Sequence, residues 1–187
     1  MRKVIFGGAN SLDNYFARTD GSVDWLLWSD EAMELMKDFW PRFDTIIMGR
    51  KTWSTAQKNF SEEELEQTNQ LYAGMKVYMF SRSLPPGLAA GDIEIVNSDP
   101  GAFVRKLKEQ EGKDICIMGG GDLARTLLEA GVIDEIGFNI HPVLLGSGVP
   151  LFHEMSRQID LELLECKPMK TGCVYVLYRV LEEGEKR

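Results

Sequence analysis

The chain has 187 residues, 44% of them hydrophobic and 27% charged, with a formal net charge of −8. That length suits one sizeable core rather than two, so 1–187 is expected to be a single domain. The acidic balance speaks against a nucleic-acid surface, which needs clustered Lys and Arg, and no window approaches the roughly 20 apolar residues of a membrane span.

The apolar run in "MRKVIFGGANS" is too short for a signal peptide. Cys116, Cys166 and Cys173 show no CxxC spacing and read as reduced thiols of a cytoplasmic protein. His141 and His153 lie too far apart for a metal cluster, so no metal is expected.

In chain order, "RKVIFGGA" reads as a first strand. "SDEAMELMKDFW" reads as a helix with Ser29 as N-cap, acids in its first turn, and Met33, Met36 and Trp40 on one face. Pro41 closes it. "FDTIIMG" is a short buried strand. "SEEELEQTNQLY" opens a helix with Ser61 and Glu64 at capping-box spacing. "MKVYMFS" is a strand, "LPPGLAAG" a turn-rich loop and "IEIVNS" another strand. "DPGAFVRKLKEQEG" is a helix with Pro100 near its first position. "KDICIMG" is a strand, and "GDLARTLLEAG" a helix closed by Gly131. "IDEIGFNIHPVLL", "LELLECKPM" and "CVYVLYRVL" supply the last strands. The alternation predicts one α/β domain with a largely parallel sheet. The last two strands are too close in sequence for a crossover and should pair antiparallel.

Three strand ends carry residues suited to phosphate. After "DICIM" come Gly119, Gly120 and Gly121, which let backbone approach a ligand and lead into a helix N-terminus. A tight turn that lets helix and strand pack explains them equally well. "IIMGRKTWST" repeats the pattern: Gly49, the cations Arg50 and Lys51, and the hydroxyl of Thr52. "MFSRSL" places Ser81 and Arg82 after a third strand, although Arg82 alone reads as a surface arginine.

"IIMGRKTW" and "IMGGGDL" resemble two signatures of the dihydrofolate reductase superfamily. "NSLDNYFARTDGSVDWL" and "LLEAGVIDEIGFNIHPVLLGSGVPLF" resemble its riboflavin-biosynthesis branch, the RibD C-terminal domain family, over nearly the whole chain. The resemblance implies a dihydrofolate-reductase-like three-layer α/β fold: a mostly parallel central sheet, an antiparallel C-terminal edge and helices on both faces. It implies an NADPH-dependent reductase similar to dihydrofolate reductase or 5-amino-6-(5-phosphoribosylamino)uracil reductase. Gly49, Arg50, Lys51 and Thr52 would lie at the cofactor phosphates, with Ser81 and Arg82 at the adenosine 2′-phosphate. Gly119, Gly120, Gly121, Asp122 and Leu123 would form the pyrophosphate turn, and Ala9 would sit beside the nicotinamide. Relatives form two-fold dimers, so a homodimer with the late strands at or near its interface is implied.

The chain departs from that pattern in the substrate half. Met33 stands about where dihydrofolate reductases carry an acid. Met118 replaces the Glu that riboflavin reductases place before the glycine turn, and Asn14 replaces their Gly. Asp13, in the loop after the first strand, is the candidate proton relay if its carboxyl is buried with a raised pKa; an Asx-type turn is the other reading. Asp24, Trp25 and Trp28 offer an aromatic wall with an acid for a flat heterocycle, or core packing for at least one tryptophan. Two functions follow as expectations. One is reduction of a pterin- or pyrimidine-like heterocycle with NADPH. The other is a non-catalytic nucleotide-binding protein that acts as a sensor.

Overall fold

The computed structural model describes residues 1–59, 61–88, 93–182 and 184–185. The chain forms β1 (Val4–Ser11), β2 (Tyr15–Ala17), α1 (Asp30–Phe39), β3 (Phe43–Gly49), α2 (Arg50–Asn59), α3 (Glu62–Leu71), β4 (Lys76–Phe80), β5 (Gly87–Leu88) and β6 (Ile93–Val96). It continues through α4 (Pro100–Glu109), β7 (Asp114–Met118), α5 (Gly121–Glu129), β8 (Glu135–His141), β9 (Val149–Pro150), β10 (Leu161–Pro168) and β11 (Val174–Val180). Among the described residues the main sheet has nine strands, in the order β10-β11-β8-β1-β7-β3-β4-β6-β5. From β8 to β6 every neighbouring pair is parallel. The β8–β11, β11–β10 and β6–β5 pairs are antiparallel. The expected architecture is therefore present, with β2 and β9 added as a separate small ladder.

The central strands read as continuous apolar runs because both their faces are covered. Val4, Phe6, Ile47, Ile115 and Ile117 point to one layer, with Val104 and Leu107 of α4 and Ala124, Leu127 and Leu128 of α5. Their neighbours Ile5, Ile46, Met48 and Cys116 point to the other, with Phe39, Trp40, Trp53 and Tyr72. The caps form as the sequence signals suggest. Ala32 N donates to Ser29 Oγ at 3.1 Å, and Ala102 N donates to Asp99 Oδ1 at 2.7 Å. Gly131 closes α5 at φ +65°, with its N–H on Leu128 O. Leu65 N donates to Ser61 O in the first turn of α3; the side chain of Glu64 lies outside the described residues, as do 89–92 of the turn-rich loop.

One expectation needs correction. The inward stripe of α1 is Ala32, Leu35, Met36 and Phe39 rather than Met33, Met36 and Trp40. Met33 is 49% exposed, and Trp40 begins a 3-10 turn over Trp40–Arg42. Of the late strands, the "CVYVLYRVL" segment is β11, paired on both sides, and β10 is the terminal strand on that side of the sheet, exposing Leu163 and Leu164.

The amino ends of the strands hold the buried charges. Arg2 donates to Asp44, to Thr45 Oγ1 and to Lys113 O. Buried Glu135 accepts from Lys3 at 2.6 Å and from Arg42 at 3.2 Å. These groups are committed to one another, so the phosphate-type turns stand at the opposite, carboxyl ends, where open parallel sheets bind ligands. No helix among the described residues is long and apolar enough to cross a membrane.

Candidate active site

The three phosphate-type turns follow β7, β3 and β4, which are consecutive in the sheet. Met48 pairs with Met118 and Gly49 with Phe80, so the turns leave the sheet at one level. Gly119 and Gly120 adopt φ +55° and +68°, a left-handed backbone that favours glycine. Gly120 is the N-cap of α5 and makes no side-chain cap, so the first amides of that helix carry no side-chain acceptor from the cap position. A Cβ on Gly119 would meet Thr52 at 2.8 Å, and one on Gly120 would approach Thr52 Oγ1 at 3.4 Å, which puts Thr52 of α2 against the glycine turn. A Cβ on Gly49 would meet nothing within 4 Å. Gly49 thus faces open space immediately before the first residue of α2. Arg50 and Lys51 are exposed beside it.

Some residues of this cradle are held by partners within the chain. Ser81 is buried and its Oγ accepts from Ser83 N at 3.3 Å and Leu84 N at 3.1 Å, so it shapes the loop that carries Arg82. Arg82 is 97% exposed, 3.8 Å from Asp122. Asp122 itself takes a bond from Arg125 at 3.1 Å, which with neighbouring cations lowers its carboxyl pKa. What Asp122 and Leu123 offer a phosphate is backbone N–H in the first turn of α5.

Next to the cradle the sheet opens. The β1–β7 ladder stops at Gly7–Met118, whereas β1 stays paired with β8 as far as Ser11–His141. A cavity of about 220 Å³ lies over β1 and β8. Ala9 and Gly137 form part of its floor. Helix α1 supplies an apolar wall through Ala32, Leu35, Met36 and Phe39, and Leu27 and Trp28 form the rim. Its polar groups include Asn139, His141 and Tyr175, to none of which the sequence reading assigns chemistry. His141 is buried, with Nδ1 donating to Asn139 O at 3.1 Å and its ring edge-to-face with Trp25 at 5.2 Å. Burial raises the pKa of the Tyr175 hydroxyl, keeping it a neutral phenol.

The proposed substrate group divides. Trp28, 67% exposed, lines the cavity, and Trp25 is buried packing on His141. Asp24 lies outside the cavity lining, in an exposed pair with Arg18 at 2.6 Å that lowers its carboxyl pKa. Asp13 is also corrected. The relay reading needs a buried carboxyl with a raised pKa. Here the pKa is lowered, first by the bond from Ser11 Oγ at 2.6 Å and then by the amides of Gly146 and Leu145 at 2.7 and 3.1 Å. Asp13 ties the loop after β1 to the loop after β8. Asp13→Ala should therefore loosen residues 144–146. A carboxyl with a depressed folded pKa stabilises above the ordinary aspartate value and loses that contribution as pH falls through the folded value. The melting-temperature gap between wild type and Asp13→Ala should shrink from pH 7 to about pH 3. A gap that does not change with pH counts against this role.

Residues 2–175 match the family model of the RibD C-terminal domain. The chain belongs to the RibD C-terminal domain family. Protein YyaP of Bacillus subtilis, itself named as uncharacterized, is 31% identical over 182 residues, covering 95% of each chain. A candidate riboflavin biosynthesis protein from a Shewanella species superposes with a TM-score of 0.79 at 21% identity, over 97% of this chain and 100% of that one. Dihydrofolate reductase from Enterococcus faecalis, in complex with NADP(H), superposes with a TM-score of 0.68 at 14% identity, over 96% of this chain and 97% of that one. As a RibD C-terminal domain the chain has two departures with clear physical settings. Asn14 takes φ +64°, a left-handed conformation that Asn, like Gly, tolerates. Met118 packs in the second core and accepts from the Tyr72 hydroxyl at 3.1 Å, so an apolar surrounding stands where those reductases carry a carboxylate.

Proposed function

We propose that this RibD C-terminal domain, as a single domain over 1–187, is an NADPH-dependent reductase of a small, flat, pterin- or pyrimidine-like heterocycle. The observation that carries the proposal is that three phosphate-type turns follow the consecutive strands β7, β3 and β4, while a cavity lies over β1 and β8, the strands next in the sheet order. The residues fit a dinucleotide: left-handed Gly119 and Gly120, the open space over Gly49, and Thr52 of the first turn of α2 against the glycine turn that opens α5. When bound, NADPH supplies the hydride. Gly119, Gly120, Asp122 and Leu123 would hold the pyrophosphate through backbone N–H groups, with Thr52 and Lys51 beside it. Arg50 and Arg82 would hold the 2′-phosphate, and Ala9 would pass beside the nicotinamide. The α1 wall and Trp28 would orient the heterocycle and exclude water. Tyr175 replaces Asp13 as the pocket group with a proton to hold near the acceptor, because the Nδ1–H of His141 is committed to Asn139 O.

The sensor reading keeps one specific support: no carboxylate lines the cavity among the described residues. Turnover separates the two readings. NADPH oxidation against a panel of pterins and pyrimidines should show activity in wild type, and binding of NADPH with no turnover on any of them would favour the sensor. Arg50 and Arg82 follow adjacent strands, so the wild type should prefer NADPH to NADH by roughly tenfold to a hundredfold, the worth of one charge-assisted phosphate contact. Salt should erode that preference. The double variant Arg50→Ala, Arg82→Ala should lose it while keeping NADH affinity. Equal loss of both cofactors would move the arginines to the shared pyrophosphate. The exposed leucines of β10 and its open edge support a homodimer through that strand. A monomer by light scattering at micromolar concentration would contradict it.

A further inference from the structure

We infer that the cavity over β1 and β8 selects an uncharged, flat molecule of about two fused rings with a lactam or amide edge, and rejects phosphorylated heterocycles. The inference deepens the reductase reading and rests on it for the reaction, though not for the binding.

Size comes first. The cavity is about 220 Å³, and a cavity of roughly 150 Å³ accommodates benzene. Shape follows from the walls. Gly137 and Ala9 leave the floor low, and a Cβ on Gly137 would already press on Leu177 at 3.0 Å and the Tyr175 hydroxyl at 3.3 Å. Phe39, Trp40 and Tyr175 add aromatic surface, which suits a planar ring.

Charge is the deciding point. No Lys, Arg, Asp or Glu lines the cavity among the described residues. Arg18 is the one basic residue in 12–28, the segment that reaches the rim, and Asp24 already holds its guanidinium at 2.6 and 3.4 Å. The rim itself is Leu27 and Trp28. A phosphate entering here would lose water and gain no cation, which strongly disfavours it.

The polar edge is read from what has no partner. Asn139 lines the cavity, and its buried Oδ1 has no hydrogen-bond partner. Trp40, also in the lining, has a buried Nε1 without an acceptor. Buried groups of this kind are rare in folded proteins and call for an explanation. An amide rotates easily about its last torsion, so Asn139 can present oxygen and NH₂ together to a lactam N–H and C=O.

The test is calorimetric titration of the purified protein with quinoxalin-2(1H)-one and with 1-naphthyl phosphate, two fused-ring probes that differ in charge. The lactam should bind saturably. The phosphate should give no binding at hundredfold higher concentration. Asn139→Leu should weaken the lactam about tenfold, one hydrogen bond's worth. Ala32→Phe, which fills the cavity from α1, should abolish its binding and covers the case in which Asn139→Leu fails to fold by circular dichroism. Naphthyl phosphate binding as tightly as the lactam, no lactam binding, or lactam binding unchanged in the folded variants overturns the inference. NADPH is titrated separately. Lactam binding without NADPH binding removes the reductase reading and leaves the pocket's selectivity standing. NADPH binding without lactam binding does the reverse.

Discussion

Gly49→Val should weaken NADPH binding at least about a hundredfold and leave the melting temperature nearly unchanged, if the cradle holds a pyrophosphate. Gly49 ends β3 outside the left-handed region, and a Cβ there meets no protein atom within 4 Å. A β-branched residue suits a strand end, so folding has no reason to suffer. The added methyl groups would instead occupy the open space over Gly49, where the proposal puts the phosphate. Losing two charge-assisted contacts at about 1.5–3 kcal/mol each gives a hundredfold or more. Gly120→Val is the less clean probe, because at φ +68° a β-branched residue is strained whatever binds beside it. Calorimetry with NADPH and differential scanning calorimetry on Gly49→Val measure the two halves. Unchanged affinity in a folded variant would remove the phosphate from this position and the proposed function with it.

Much of this fold is legible in the sequence because its signals are local. Strands buried on both faces appear as unbroken apolar runs such as Ile46–Ile47–Met48, and the caps at Ser29, Asp99 and Gly131 lie within a few residues of the helices they end. The cradle was legible for the same reason: each turn follows its own strand. The pocket was not. Asn139, His141 and Tyr175 look like ordinary residues of β-prone segments until β8 is seen between β1 and β11, with Asn139 paired to both Ala9 and Tyr175. Which of the two late strands ends the sheet was not legible, because only the choice of partner for β8 separates β10 from β11. The two readings of Asp13 could not be separated in the sequence because its partners, the amides of Leu145 and Gly146, come from far along the chain.

Gly121→Ala should destabilise the protein by about 1–3 kcal/mol, the range for forcing a methyl group into packed surroundings. The three tandem glycines therefore answer to different demands. Gly119 and Gly120 need left-handed backbone, but Gly121 has no positive φ. A Cβ on it would lie 2.5 Å from Leu151 O and 2.8 Å from Pro150 O. These are backbone atoms of the segment at β9, which cannot turn aside as a side chain can. Leu151 is itself fully buried in the first core, so its carbonyl is held from both directions. For a domain of this length the cost corresponds to roughly 2–4 °C of melting temperature per kcal/mol. The Gly121 N–H stays in the first turn of α5, so NADPH affinity should fall much less than in Gly49→Val. Stability and affinity thus move in opposite patterns in the two variants. Should Gly121→Ala keep its melting temperature and lose NADPH, the third glycine serves the pyrophosphate directly, and the contact with Leu151 is not what excludes a side chain there.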